Sequence, residues 1–245
     1  MSKKLSIGQA AKFLGVSIQT LRRWDKSGKL LSSRKNKTEK RYYYQTAIET
    51  YMSKNAKRLY QIALAWASSE KTPVLAEMYF CRDRETFKNR QHHLAAELHM
   101  TPNLIAIIGA VVGEIGNNSF DHNMGNWKDV PGIFFAHDIT QKEIILADRG
   151  VGVLQTLQRV KPSLTTHTQA LKSAFTEILS GRAPETRGNG LKFVRQAVAK
   201  NHLQLTFQSG NAVLSLYPAK YAVEIQTSDT SIPGIIALIQ YHYEN

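Results

Sequence analysis

The chain has 245 residues, 42% of them hydrophobic, enough for a packed core in one large domain or two modest ones. It holds no apolar run long enough for a membrane span, and its single cysteine, Cys81, excludes an intrachain disulfide and a cysteine-based zinc site. Net charge is +13, and residues 1–58 carry 15 basic against 3 acidic residues, so +12 of it lies in the first quarter of the chain. Such asymmetry fits a polyanion-binding module joined to a near-neutral body, or else a solvated basic arm. The opening Met-Ser-Lys-Lys-Leu-Ser is polar and lacks the apolar stretch of a secretory signal, so a cytoplasmic address without a membrane partner is expected.

Residues 7–14 read as a short amphipathic helix with Ala10, Ala11 and Leu14 on its inner side. Gly15 suits a helix C-terminus, and Ser17 suits the N-cap of a second helix over residues 18–27. Ile18, Leu21 and Trp24 are predicted to share its buried face, leaving Gln19, Arg22, Arg23 and Lys26 outward. Helix, tight turn and polar second helix make a helix-turn-helix. Gly28-Lys29-Leu30-Leu31, the basic run to Arg41 and the string Tyr42-Tyr43-Tyr44 predict a β-rich wing around a basic turn.

The string Ser-Ile-Gly-Gln-Ala-Ala-x-x-Leu-Gly-Val-Ser-x-x-Thr-Leu-Arg-x-Trp, followed by Gly-x-Leu and Arg-Tyr, resembles the MerR and excisionase winged-helix family. That resemblance implies a second helix in the major groove of double-stranded DNA and a wing along the phosphates. It assigns Gln19, Arg22 and Arg23 to base edges and phosphates, and Arg34, Lys35, Lys37 and Arg41 to the backbone. Ser17, Thr20 and Tyr43 complete the DNA-binding set, although Trp24 and the tyrosine run also read as core and wing packing. An arginine can hold guanine in a bidentate way, whereas lysines mainly add salt-sensitive attraction. Family members bind as dimers, so a homodimer is one expectation. A solvated face on a protein-binding helical domain is the competing reading.

Boundaries are predicted at 1–53 for this module, 54–100 for a mostly helical connector and 101–245 for a second domain. Residues 45–70 place Ala47, Ile48, Tyr51, Leu59, Ile62, Ala63 and Trp66 at helical spacing before Thr72-Pro73 breaks the pattern. Residues 74–99 read as largely helical and charged. His92, His93 and His99 read as surface or partly packed. In Leu-His-Met-Thr-Pro the register of a phosphoacceptor histidine fails, because Glu97 stands five residues before the proline.

From Ile105 the chain reads Ile-Ala-Ile-Ile-Gly-Ala-Val-Val-Gly-Glu-Ile-Gly-Asn-Asn-Ser-Phe-Asp-His-Asn. Glu114, Asn118 and His122 are four apart and stack on one helix face. Polar groups aligned on an apolar helix are costly unless partnered, which points to a shared ligand; capping of a helix end by Asn117 and Asn118 is the alternative. Lys142-Glu-Ile-Ile-Leu-Ala is a short apolar strand running into Asp148-Arg-Gly150-Val-Gly152, and Thr186-Arg-Gly188-Asn-Gly190-Leu191 opens an amphipathic helix over residues 192–200.

In this order the three segments resemble the asparagine box and two glycine boxes of the GHKL superfamily of gyrases, chaperones, histidine kinases and mismatch-repair ATPases, whose nucleotide site is the Bergerat fold. Ser231-Ile-Pro-Gly-Ile-Ile-Ala-Leu-Ile-Gln-Tyr resembles its closing strand, so the likeness covers roughly residues 100–245. The implied fold class is α+β: a small winged helix-turn-helix, a helical connector, then an α/β sandwich with a mixed sheet covered on one face by helices. ATP and Mg2+ are the implied cofactors. Glu114 takes the place of the general base, and Asn118 that of the side-chain oxygen on magnesium. Asp148 corresponds to the acceptor for the adenine amino group, with Gly150 and Gly152 letting the backbone approach base and ribose. Gly188, Gly190 and Leu191 open a helix whose free amides attract phosphate, and His122 and Arg187 complete the cofactor-binding set. Residues 153–187 correspond to an ATP lid, where Arg182 and Arg187 either neutralise the γ-phosphate or stand in solvent. Asp121 reads as a helix end rather than a metal contact.

The Glu-Asn-His spacing most resembles the anti-sigma-factor serine kinases. The function so implied is an ATP-dependent DNA-binding regulator that hydrolyses ATP or phosphorylates serine, threonine or histidine on a small partner protein. The alternatives are a non-catalytic ATP-sensing transcription factor and a member of a toxin–antitoxin-like pair with autoregulatory DNA binding.

Overall fold

A computed structural model describes residues 3–14, 17–34, 40–71, 75–177 and 189–242. The chain divides into two compact units, Met1–Arg58 and Leu59–Asn245. The division falls inside one long helix, and residues 59–100 fall with the second unit.

Unit 1 comprises β1 (Lys4–Ser6), α1 (Ile7–Phe13), α2 (Ile18–Lys26), β2 (Tyr42–Tyr44) and the first turns of α3 (Gln45–Ser68). Its core is Leu5, Ala10, Ala11, Leu21, Leu30, Tyr43 and Ile48, with Trp24 and Tyr51 packed at the edge. Ser17 caps α2 by accepting the Thr20 amide at 3.0 Å. Ile18, expected on the buried face, is 42% exposed, because the core closes around Leu21 and not around the first turn of α2. β2 pairs antiparallel with β1, Leu5 opposite Tyr43, and Tyr42 also bridges to Ser33. The basic turn itself, with Lys35 and Lys37, lies outside the described residues.

Unit 2 continues from the last turns of α3 through a 3-10 turn (Glu77–Tyr79), β3 (Phe80–Cys81), α4 (Arg84–Glu97), α5 (Pro102–Asn123), β4 (Ile133–Asp138), β5 (Glu143–Asp148), α6 (Gly152–Gln158), α7 (His167–Thr176), α8 (Gly190–Lys200), β6 (Leu203–Leu216) and β7 (Glu224–Tyr241). Strand order is β3-β4-β5-β7-β6, and every pairing among the described strands is antiparallel, where a mixed sheet was expected. Hairpin neighbours β4–β5 and β6–β7 impose that sense, and β7 joins the two hairpins by pairing with β5 as well.

Both faces of the sheet are covered, not one. Ile133, Phe135, Ile144, Leu146, Ala237 and Ile239 pack in the cluster formed with α4, α5, α7 and α8. Their neighbours Phe134, Ala136, Ile145, Ala147 and Ile236 pack with Ala63, Trp66 and Ala67 of α3. This alternation is the period-2 signature of strands buried on two sides. Within residues 74–99, read as largely helical, Phe80 and Cys81 pair with Phe134 and Ile133 across a long sequence separation. No helix among the described residues is long and apolar enough to cross a membrane.

α5 begins with Thr101 accepting the Leu104 amide and Pro102 in the first turn, where a missing N–H costs nothing. Gly116 lets the Phe87 ring of α4 lie directly on α5, since a Cβ there would run into that ring. Gln91 Nε2 donates to Gly109 O at 2.6 Å, one turn farther along the same seam. Gly116→Ala is therefore expected to lower unfolding free energy by about 1–3 kcal/mol through overpacking. Gly109→Ala, whose Cβ would meet only Gln91 Nε2 at 4.0 Å, is expected to raise it by roughly 0.5–1 kcal/mol. Urea midpoints of the two variants check the opposite signs.

Candidate functional site

A cavity of about 640 Å³ opens in unit 2 over α5 and the C-terminal end of β5. Helical spacing aims Glu114, Asn118 and His122 at it, and Asp148, Gly152, Gly190 and Leu191 border it as well. Asp148 ends β5 and is 2% exposed. Its Oδ1 accepts the Gly150 amide at 2.9 Å. Burial pushes its carboxyl up to about 6, against the lowering effects of the Ser119 hydroxyl, the Gly150 and Ile235 amides and the Asn123 side chain. Burial likewise pushes the His122 imidazole down, and the Arg159 charge adds to it, so His122 is neutral at pH 7.

The glycines clear protein groups. Gly150, which does not line the cavity, makes room for the Asn123 side chain; Asn123 Oδ1 accepts the Val151 amide at 2.9 Å and its Nδ2 donates to Ser119 O at 2.8 Å. Gly152, at φ +73°, lies against Pro233 O, and the next amide, Val153, donates to Ser209 Oγ at 3.0 Å. At the other end of the cavity a Cβ on Gly190 would run into the Glu114 carboxylate. Glu114 is exposed there, beside the N-terminus of α8, whose N-cap Asn189 makes no side-chain cap bond. Arg182, Arg187 and Gly188 lie outside the described residues; α6 and α7 account for most of the described part of the expected lid. Asp121 stands in the last turn of α5 and is paired with Arg84 of α4.

Several residues of this region were not singled out from sequence: Ser119, Asn123, Ser209 and Gly234, the last placed so that a Cβ would strike Asp148. A glycine after proline inside a strand is a signal of close backbone approach, and Pro233-Gly234 carried it. Among the described residues no group of three or more His, Cys, Asp or Glu is placed to hold a metal ion.

Unit 1 presents a second surface. Gln19, Arg22, Arg23 and Lys26 are exposed on α2, while Ser17 and Thr20 bond each other through their hydroxyls at 2.9 Å as part of the cap. Tyr43, counted among the DNA contacts, is 1% exposed, with its hydroxyl donating to Leu21 O at 3.4 Å; it is core, because β2 turns it inward opposite Leu5. Arg41 and Arg34 both turn to Asp25, at 2.7 and 3.8 Å. Burial raises the Asp25 carboxyl, but the bonds from Arg41 and from the Ser32 amide at 2.8 Å outweigh it and hold it below the usual range. Asp25 thus braces the two arginines beside α2.

Residues 6–43 match the family described as MerR family regulatory protein. Unit 1 is therefore similar to a MerR-type helix-turn-helix, a similarity that points to DNA binding and regulation. No curated protein matches the chain.

The Asp148 carboxyl has a stability consequence. The folded chain keeps its proton up to about pH 6, whereas an unfolded aspartate releases it near 3.9, so folding loses stability as pH rises between those values. Asp148→Asn is expected to match the wild type near pH 3.5 and to be more stable by on the order of 1–3 kcal/mol above pH 7. Chemical denaturation across pH 3.5–8 measures the difference.

Proposed function

We propose that the chain is a nucleotide-controlled DNA-binding regulator, in which unit 1 docks α2 into the major groove and the cavity of unit 2 takes Mg-ATP. The observation that carries this reading is Asp148: a buried carboxylate retained at a strand end, beside a cavity also bordered by Glu114, Asn118, His122 and the uncapped start of α8. Such a group lowers stability at neutral pH and is an ionised acceptor there, suited to an N–H donor of a bound ligand such as the adenine amino group. A Bergerat-type site is supported by the convergence on one cavity of the asparagine-box helix, the strand-end aspartate and the glycine that opens α8.

Mg-ATP supplies a transferable phosphoryl group when bound. Of the chain's own residues, Asp148 orients the base, Asn118 offers a side-chain oxygen to the metal, and the amides opening α8 face phosphate. Glu114, exposed against Gly190, takes the proton from water or from a hydroxyl of a partner protein. The C-terminal end of α3 is held by Arg149, the residue after Asp148.

Calorimetry is expected to show Mg-ATP binding by the wild type and a loss of roughly tenfold or more in Asp148→Asn. Glu114→Ala is expected to retain binding and lose phosphate release or transfer. Wild type without nucleotide affinity, or Asp148→Asn with affinity unchanged, contradicts the reading. On the DNA side, Arg22→Ala or Arg23→Ala is expected to weaken duplex binding by about 1–3 kcal/mol where the arginine reads a base, measured by fluorescence anisotropy at fixed salt.

A further inference from the structure

α4 supplies two cations to the cavity that neither glycine box accounts for. Arg84 and Lys88 are four apart on α4 and both border the cavity. Three contacts set α4 antiparallel along α5: Arg84 bonds Asp121, Phe87 lies on Gly116, and Gln91 reaches Gly109. Lys88, next to Phe87, is therefore level with the turn that runs from Glu114 to Asn118. Arg84 sits one turn away with its guanidinium 5.8 Å from the Phe120 ring centre.

The charge along this wall needs such groups. Glu114 and Asp121 stand on the same stretch of α5, and a polyphosphate placed against them meets repulsion unless cations intervene. Arg84 is spent on Asp121. Lys88 is exposed and makes no ion pair with a described carboxylate, so its ammonium remains available. We propose that α4 forms the phosphate-facing wall of this site, Arg84 neutralising Asp121 while Lys88 contacts the terminal phosphate of a nucleoside triphosphate. The inference rests on the nucleotide reading of the cavity and adds to it both a positioning residue and a determinant of triphosphate over monophosphate.

Calorimetric titration of the full chain with Mg-ATP, ADP and AMP tests it. Lys88→Gln is expected to weaken Mg-ATP roughly tenfold, ADP less, and AMP not at all, and to flatten the dependence of ATP affinity on salt. Arg84→Gln is expected to weaken Mg-ATP to a similar degree, and Arg84→Gln with Asp121→Asn to recover it, because the uncompensated carboxylate is then gone. Lys88 is exposed, so its substitution leaves the packing of α4 on α5 intact. Unchanged Mg-ATP affinity in Lys88→Gln, equal weakening of ATP and AMP, or no recovery in the double variant overturns the inference while wild-type binding leaves the site reading standing. A wild type that binds none of the three nucleotides overturns both.

Discussion

Arg149 is the residue on which the geometry of unit 2 turns. It is 1% exposed, and a guanidinium taken out of water costs several kcal/mol unless charge and hydrogen bonds are both restored. Asp129 restores the charge, accepting from Nε at 2.9 Å and from Nη2 at 2.6 Å. The remaining protons go to the Trp66 and Ser69 carbonyls at the end of α3, groups that a helix terminus leaves without intrahelical partners. One side chain therefore closes α3, fixes the loop that carries Asp129, and locks the turn between Asp148 and Gly150. Covering the second face of the sheet with Trp66 and Ala67 depends on the same anchor.

The cavity follows from that locked turn and from close approaches that only glycine allows. Gly150 admits Asn123, Gly234 admits Asp148, Gly116 admits Phe87 and Gly190 admits Glu114. Each leaves room for a side chain that a Cβ would strike, so Asn123, Asp148, Phe87 and Glu114 lie directly against a neighbouring backbone. The pressure that burial places on Asp148 is the cost of that arrangement.

What was legible in the sequence was local. The spacing of Glu114, Asn118 and His122, the apolar strand before Asp148 and the glycine opening α8 each depend on neighbours within a few residues, and each lies where periodicity placed it. The helix-turn-helix was legible for the same reason, with a cap at Ser17 and a stripe around Leu21. Long-range pairing was not: two residues, Phe80 and Cys81, become a strand only because β4 lies beside them. Nor could periodicity tell that α3 would cover the far side of the sheet, that Tyr43 would face Leu5, or that Arg149 would be internal and not a surface charge between Asp148 and Gly150. Asp25 and Arg84 were silent for a related reason: a charged residue on a helix looks the same in sequence whether it meets solvent or an ion of opposite sign.

A nucleotide-controlled regulator requires that a ligand held at Asp148 change what unit 1 does. The direct measurement is the affinity of the full chain for a duplex selected by it from a random library, at fixed salt, without nucleotide and with saturating ADP or Mg-ATP. Control by nucleotide requires a difference in affinity between states, and a coupling of typical size, about 1–3 kcal/mol, is a change of roughly 5- to 150-fold. Such a change, lost in Asp148→Asn, is the expected result. Identical DNA affinity in all three conditions, with nucleotide shown to be bound, would contradict it.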